Sequence, residues 1–201
     1  MKSQMRHWLL ACALIIHSAM ADAADDVQIS LAHGTPAESE VEHRLWALMS
    51  EYDLSPWTFT RRVVIDETQI PHSHPVLTLH ARHRRDDELL LSTYVHEQLH
   101  WWLATRPKEV AEAKARLRSS YPKIPVGYPE GSSDEDGNYE HLLVIYLEFR
   151  ADQRLLGELR AREVMQFWAN DHYTWLYERV LSDRNAIGDI VKEYQLSPPP
   201  S

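Results

Sequence analysis

Residues 89–104 read LLLSTYVHEQLHWWLA, and the rest of the chain is organised around this stretch. It is a long apolar run that contains a His-Glu-x-x-His motif at His96, Glu97 and His100. Side chains four residues apart lie one above the other on a helix, so the two imidazoles can bind one metal ion. Glu97 lies beside them, where its carboxylate can take a proton from a water that the metal polarises. The motif therefore predicts two metal ligands and a general base.

The flanks of the motif favour a helix that packs against a core. Asp86 and Asp87 suit the N-terminal end of such a helix, and Pro107 lies just beyond its other end. On a helix, an apolar stripe would lie apart from the two histidines and could be buried. The stripe consists of Leu91, Val95, Leu99 and Trp102.

The first residues resemble an export signal. A basic start precedes an apolar segment over 8–16 and the small-x-small pattern Ala19-Met20-Ala21. We therefore predict a signal peptide over 1–21 and an exported protein, periplasmic or secreted. An uncleaved anchor is one alternative. A lipoprotein attached through Cys12 is another, and we favour it less because the apolar run continues past that residue.

The composition of the mature chain limits its chemistry. Cleavage after Ala21 leaves residues 22–201, which contain no cysteine, so a metal must be held by nitrogen and oxygen ligands. It also leaves 19 basic and 30 acidic residues, a net charge of −11, which makes nucleic acid an unsuitable partner. A chain of this length, with seven tryptophans in the full sequence, suits a single domain with a sizeable core.

Hydrophobic periodicity predicts an α+β fold, a mostly helical single domain with a small sheet beside the motif helix. Short β-branched runs predict strands over 27–31, 61–65 and 76–80. Besides the motif helix, helices are expected over 35–51, 107–118, 138–159, 163–181 and 183–194. Between them, 119–137 is rich in proline, glycine and acidic residues. This segment is either a mobile flap over the site or a solvated connection.

One predicted helix places three ionisable side chains in a row. His141 and Glu148 are two turns apart, roughly 10.5 Å along the axis, and Asp152 follows one turn later on nearly the same face. Their neighbours are apolar, and burying such a row without partners would be costly. A metal, its ligands or mutual pairing is therefore expected to satisfy these side chains.

The two motifs together resemble the gluzincin metallopeptidases. The pattern is His96-Glu97-x-x-His100 followed by Glu148-x-x-x-Asp152. Residues 147–152, which read LEFRAD, are most similar to the bacterial relatives of the CAAX-prenyl proteases. The resemblance covers two helices of the chain.

The resemblance implies a role for each matching residue. His96, His100 and Glu148 would be zinc ligands, Glu97 the general base, and Asp152 a carboxylate that hydrogen-bonds a ligand histidine. This agrees with the physical chemistry of catalytic zinc, which takes three protein ligands and leaves a position for water.

His141 is open to two interpretations. It could replace Glu148 as the third ligand, or it could act catalytically by stabilising the oxyanion that develops on a carbonyl. We take Glu148 as the ligand, because the spacing to Asp152 supports it, and His141 as a catalytic group. Tyr128 and Tyr139 are further candidates for oxyanion stabilisation.

A second group of histidines lies upstream of the motif, at His72, His74, His80 and His83. Prolines beside the first two indicate a turn, and no carboxylate or cysteine framework accompanies the group. We therefore predict that these histidines are solvated or take part in packing.

Together these features predict an exported zinc metallohydrolase, a peptidase acting on peptide or protein substrates. By resemblance, the strand over 76–80 is expected to pair with an extended substrate. A non-catalytic, metallopeptidase-like binding module of the cell envelope is the alternative, and a helical protein whose histidines merely pack is a third. The intact Glu97 favours the enzyme, because a pure binding site needs no base.

Overall fold

A computed structural model describes residues 27–199 of the protein, and the predicted signal peptide lies outside this range. The described residues form three strands: β1 (Gln28–Leu31), β2 (Arg62–Ile65) and β3 (Leu77–Leu79). They also form six α-helices: α1 (Pro36–Glu51), α2 (Asp87–Ala104), α3 (Pro107–Ser120), α4 (Glu135–Leu155), α5 (Glu158–Ala169) and α6 (Thr174–Glu193). The predicted α+β class is confirmed, with a small sheet beside the motif helix.

The sheet is parallel, in the order β1-β2-β3, which makes β3 an edge strand beside α2. The open edge of β3 is partly covered by the loop that precedes this strand. The Thr78 N–H donates to the His72 carbonyl oxygen at 2.8 Å, and the His72 N–H donates to the Thr78 carbonyl oxygen at 3.1 Å. Both backbone groups of Thr78 are therefore taken, and the expected pairing of a substrate with this strand is blocked at that residue.

Helix α2 passes through the middle of the domain. Its N-terminus is capped by Asp86, whose carboxylate accepts from the Leu89 N–H at 3.1 Å. Helix α1 and β3 contact it, and so do α4 and α5. Most of its side chains are consequently buried, including His96 and Glu97. Although α2 is strongly apolar, no helix within 27–199 is long and apolar enough to cross a membrane.

The structure corrects the predicted boundaries of the last two helices. The helix expected over 163–181 is two helices, because α5 ends at Ala169 and Tyr173 adopts a left-handed backbone conformation with φ 50°. The break expected before Asp183 is only a kink inside α6. Aromatic side chains at helical spacing continue across the turn, so the periodicity alone did not reveal it.

Candidate metal centre

Three histidines from two helices converge in the interior. His96 and His100 project from α2, and His141 projects from the first turns of α4. Their ring centroids are 4.9 to 5.6 Å apart. One nitrogen from each ring can be chosen so that all three nitrogens lie within 4.8 Å of one another. Such a cluster of neutral imidazoles is a suitable ligand set for one transition-metal ion.

Each imidazole has an acceptor beside its Nδ1 atom. His96 Nδ1 lies 2.8 Å from Glu148 Oε2, and His100 Nδ1 lies 3.2 Å from Glu140 Oε1. His141 Nδ1 donates to the Gly137 carbonyl oxygen, one helical turn earlier, at 2.8 Å. A carbonyl oxygen can only accept, so His141 carries its proton on Nδ1. With Nδ1 engaged in all three rings, each Nε2 is left to bind a metal.

The electrostatic environment favours the neutral form of His96 and His141. Burial, together with the adjacent His100 and His96, lowers the pKa of His141 to about 3. Burial and the neighbouring His100 also hold the pKa of His96 well below its ordinary value. Neutral imidazole is the form that binds a metal.

Glu148 lies on the outer side of His96. It is fully buried, and its carboxylate accepts hydrogen bonds from the Ser92 hydroxyl at 2.5 Å and the Tyr177 hydroxyl at 3.1 Å. Burial raises its pKa to about 7, and these two hydroxyls oppose that shift. The residue expected as the third ligand therefore contacts the Nδ1 side of His96, and it is not part of the group of converging ligand atoms.

Asp152 also differs from the expectation. It was predicted to hydrogen-bond a ligand histidine, but both of its carboxylate oxygens are buried without a hydrogen-bond partner. Ser92 lies beside it, but the single hydroxyl proton of Ser92 goes to Glu148. Burial and the neighbouring Glu148 raise the pKa of Asp152 well above its ordinary value.

Glu97, the predicted general base, lies close to His100 and Glu148. It follows His96 on α2, and its side chain is buried beside the cluster. Burial raises its pKa to about 7, a shift that His100 opposes and Glu148 reinforces. A carboxylate with a pKa near neutrality is well suited to accept and return a proton.

Three residues at the site had no signal in the sequence. Glu140 supports His100, and that hydrogen bond lowers its pKa to about 2 against the opposing effect of burial. Tyr173 places its ring 4.6 Å from that of His141, and its pKa is raised by burial and by the nearby Glu97. His172 precedes it and lies 3.0 Å from Asp171 through Nδ1. The last two lie on the turn between α5 and α6, which the helical periodicity concealed.

The two tyrosines predicted to stabilise an oxyanion both donate their hydroxyl protons to backbone carbonyl groups. Tyr139 is fully buried, and its hydroxyl donates to the Tyr121 carbonyl oxygen at 2.7 Å. Tyr128 is 80% exposed, and its hydroxyl donates to the Asp171 carbonyl oxygen at 3.4 Å. Tyr128 belongs to the segment expected to be a flap or a connection, whereas Tyr139 lies in the first turns of α4.

The upstream histidines do not form a ligand group within residues 27–199. His74 stacks on Trp101 at a centroid distance of 4.2 Å. His80 Nδ1 accepts from the Arg82 N–H, and His83 contacts Trp168 edge-on. Each of these histidines therefore makes its own packing or hydrogen-bonding contact.

A second group of potential ligands comprises His33, Glu38 and Asp66. The buried carboxylate of Glu38 accepts from the backbone N–H groups of His33, Gly34 and Glu67 at 2.8 to 3.3 Å. It also completes the capping box of α1 with Thr35. Glu38 is thus fully engaged by the backbone, so this group is explained by its structural role.

No protein-family model, curated protein or solved structure matches the chain. Any conclusion about function therefore depends on the geometry and chemistry of the site itself.

Proposed function

We propose that the protein is a zinc-dependent hydrolase that cleaves peptide bonds, with His96, His100 and His141 as the zinc ligands. The observation that carries this proposal is that one ring nitrogen of each histidine lies within 4.8 Å of the others, while an acceptor beside each Nδ1 atom leaves Nε2 available for the metal. The proposal replaces the glutamate ligand of the gluzincins with a histidine, so it does not depend on kinship with that family.

The donor set suits zinc. Three neutral imidazoles are a known set for catalytic zinc and leave a fourth position open. Carboxylate partners such as Glu140 and Glu148 orient the rings and increase their basicity. When bound, zinc lowers the pKa of a water molecule toward neutrality and polarises a carbonyl group.

The residues of the chain divide the remaining work. Glu97 accepts the proton of the attacking water and passes it to the leaving amine, for which its raised pKa is suitable. Tyr173 and His172, on the turn between α5 and α6, donate hydrogen bonds to the carbonyl oxygen as negative charge develops on it. Tyr177 and Ser92 keep Glu148 aligned with His96.

A peptide substrate is supported by the His96-Glu97-x-x-His100 pattern, which in metalloproteases supplies two zinc ligands and the general base. A cavity of about 450 Å³ adjoins His100 on the side of its partner Glu140, and Glu97 and His141 are not among its lining residues. The alternative, a non-catalytic module, shares the ligands but has no use for a buried base.

Zinc titration of three proteins tests the ligand assignment. We expect the wild type to bind one zinc per chain and His141→Ala to lose stoichiometric binding. Glu148→Gln should retain stoichiometric zinc with an affinity lowered about 10- to 100-fold. If Glu148→Gln abolished binding while His141→Ala retained it, the third ligand would be Glu148.

Hydrolysis of a broad peptide library tests the enzymatic proposal. Glu97→Gln should bind zinc like the wild type and lose activity by about 10²- to 10⁴-fold. Cleavage of no peptide by the zinc-loaded wild type would overturn the peptidase and favour the binding module.

Export is part of the proposal, supported by the basic and apolar start of the chain. Sequencing the N-terminus of the protein recovered from its native cell tests it. A mature terminus at Asp22 is expected, and a retained Met1 would contradict cleavage.

A further inference from the structure

A cavity of about 470 Å³ lies between the C-terminal halves of α4 and α6, and it differs in charge from the rest of the molecule. Four cationic side chains line it: Arg150, Arg154, Arg184 and Lys192. Asp189 is the carboxylate among its lining residues. The whole chain carries a net charge of −9, so a basic overall composition cannot account for this concentration of positive charge.

Helical spacing arranges these cations in two rows. Arg150 and Arg154 are four residues apart on α4, and Arg184 and Lys192 are two turns apart on α6. Gly188 lies between the latter two, and a Cβ there would be 2.5 Å from the Tyr146 hydroxyl oxygen. Like charges four residues apart on a helix, as at Arg150 and Arg154, repel one another, so this pair is unfavourable without a counter-charge.

Neighbouring groups supply that counter-charge only in part. Glu158 accepts from Arg184 at 3.4 Å, but it also accepts from Arg162 at 2.6 Å. Arg150 donates to the neutral Gln153 amide oxygen at 2.9 Å. The counter-charge at Arg150 and Arg184 is therefore incomplete.

We propose that this cavity binds a small phosphate-bearing anion. Guanidinium groups bind phosphate oxygens in a bidentate manner, and the excess of cations suits a ligand with more than one negative charge. Trp57 and Tyr146 add aromatic surface that can contact the organic part of such a ligand. The volume lies within the range of small-molecule sites.

The cavity is separate from the metal centre. Arg150 and Arg154 each follow an inward-facing residue, Glu148 and Asp152, by two positions. On a helix, two positions correspond to a rotation of about 200°, so the arginines emerge on nearly the opposite face. On α6, Arg184 and Lys192 lie beyond the kink at Asp183, whereas Tyr177 lies before it. The phosphate site therefore does not depend on the proposed hydrolase.

Calorimetric titration of the full chain with inorganic phosphate, at constant ionic strength, tests the proposal. We expect saturable binding that weakens about tenfold or more in the double variant Arg150→Gln/Arg184→Gln. The matched control is Arg116→Gln, an exposed arginine on α3, which should bind like the wild type. Absence of saturable binding, or equal weakening in both variants, would overturn the site.

Two further measurements keep the test decisive. The backbone amide resonance of Gly188 should shift when phosphate is added to the wild type. If this resonance did not shift while those of His96, His100 and His141 did, the anion would bind at the histidine cluster instead. If the glutamine variant fails to fold, Arg150→Lys/Arg184→Lys keeps the charge and removes the bidentate fork, and it should also bind more weakly.

The source of the phosphate can be distinguished with vesicles. Co-flotation with phosphatidylcholine vesicles that contain phosphatidic acid, lost in the double variant, would identify a lipid headgroup. Phosphate binding without co-flotation would identify a soluble phosphomonoester. Either result supports the site. Co-flotation that persists in the double variant as well as in Arg116→Gln would contradict lipid binding by this cavity. Phosphate binding that is lost in the double variant would then be assigned to a soluble ligand.

Discussion

Two histidine-rich regions of this protein differ in what the fold does with them. His72, His74, His80 and His83 lie on the loops around β3, and each makes its own contact with a ring, a carbonyl or a backbone N–H. His96, His100 and His141 lie on two adjacent helices, and their rings meet. The number of histidines is therefore a poor guide to a metal site.

The decisive difference is the set of partners on the Nδ1 side. In the converging cluster, the acceptors are Glu148, Glu140 and the Gly137 carbonyl oxygen, all on α4. His96 pairs with Glu148 while His100 pairs with Glu140, so α2 and α4 run in opposite directions past each other. Helix α4 thus supplies both one of the three histidines and the partners of the other two.

The strongest test of this contrast compares one histidine from each region. His96→Ala should lower zinc affinity by more than about 100-fold, a larger loss than removal of an outer partner causes. His74→Ala is the control and should leave zinc binding unchanged, because that ring stacks on Trp101. Equal losses in a zinc competition titration would show that both regions contribute to the site.

The second test concerns the turn that the periodicity concealed. Tyr173→Phe should lower kcat for peptide hydrolysis about 100-fold, because it removes a donor to the developing oxyanion, while zinc content stays unchanged. Tyr128→Phe is the matched control and should retain wild-type kcat, because its exposed hydroxyl is bonded to a backbone carbonyl. Steady-state kinetics on the same substrate measure kcat for both variants. An unchanged kcat in Tyr173→Phe would show that this residue has no part in the mechanism.

The third test concerns the carboxylate beside His100. Glu140→Gln should weaken zinc binding by about 10-fold, because the neutral amide is a poorer partner for the imidazole. Glu112→Gln, at an exposed position on α3, should bind zinc like the wild type. An unchanged affinity in Glu140→Gln would mean that the 3.2 Å contact has no influence on the ligand.

The smallest effect is expected where the two regions are linked. Asp171 joins Arg82, which lies between two of the upstream histidines, to His172 at the site. Burial raises the pKa of Asp171, but hydrogen bonds from Arg82 and His172 outweigh it and lower the pKa below its ordinary value. The ionised form is therefore stabilised in the folded protein.

This lowered pKa predicts a pH-dependent stability difference. The stabilisation is present above the unfolded pKa of about 3.9 and disappears as the pH falls through the folded pKa. Asp171→Asn should therefore melt a few degrees below the wild type at pH 7, and the gap should close below about pH 4. A gap that persists unchanged in acid, measured by thermal denaturation, would show that packing rather than charge is responsible.

Much of the fold was predictable because its signals are local. The apolar run around the motif, the cap at Asp86 and the β-branched runs correctly predicted α2 and the three strands. The division between α5 and α6 was not predictable. It depends on the left-handed conformation of Tyr173 and on a hydrogen bond from the Thr174 N–H to the Pro129 carbonyl oxygen, 2.9 Å long, that reaches a distant loop.

The sequence by itself determined the pair of histidines, the adjacent base and the helical row of His141, Glu148 and Asp152, because helical spacing follows from the chain alone. Only the tertiary structure decided which member of that row meets the pair. Moving α4 along α2 by two turns would exchange the places of His141 and Glu148, and the packing of side chains between the helices sets that position. In this structure it brings His141 into the cluster and places Glu148 behind His96.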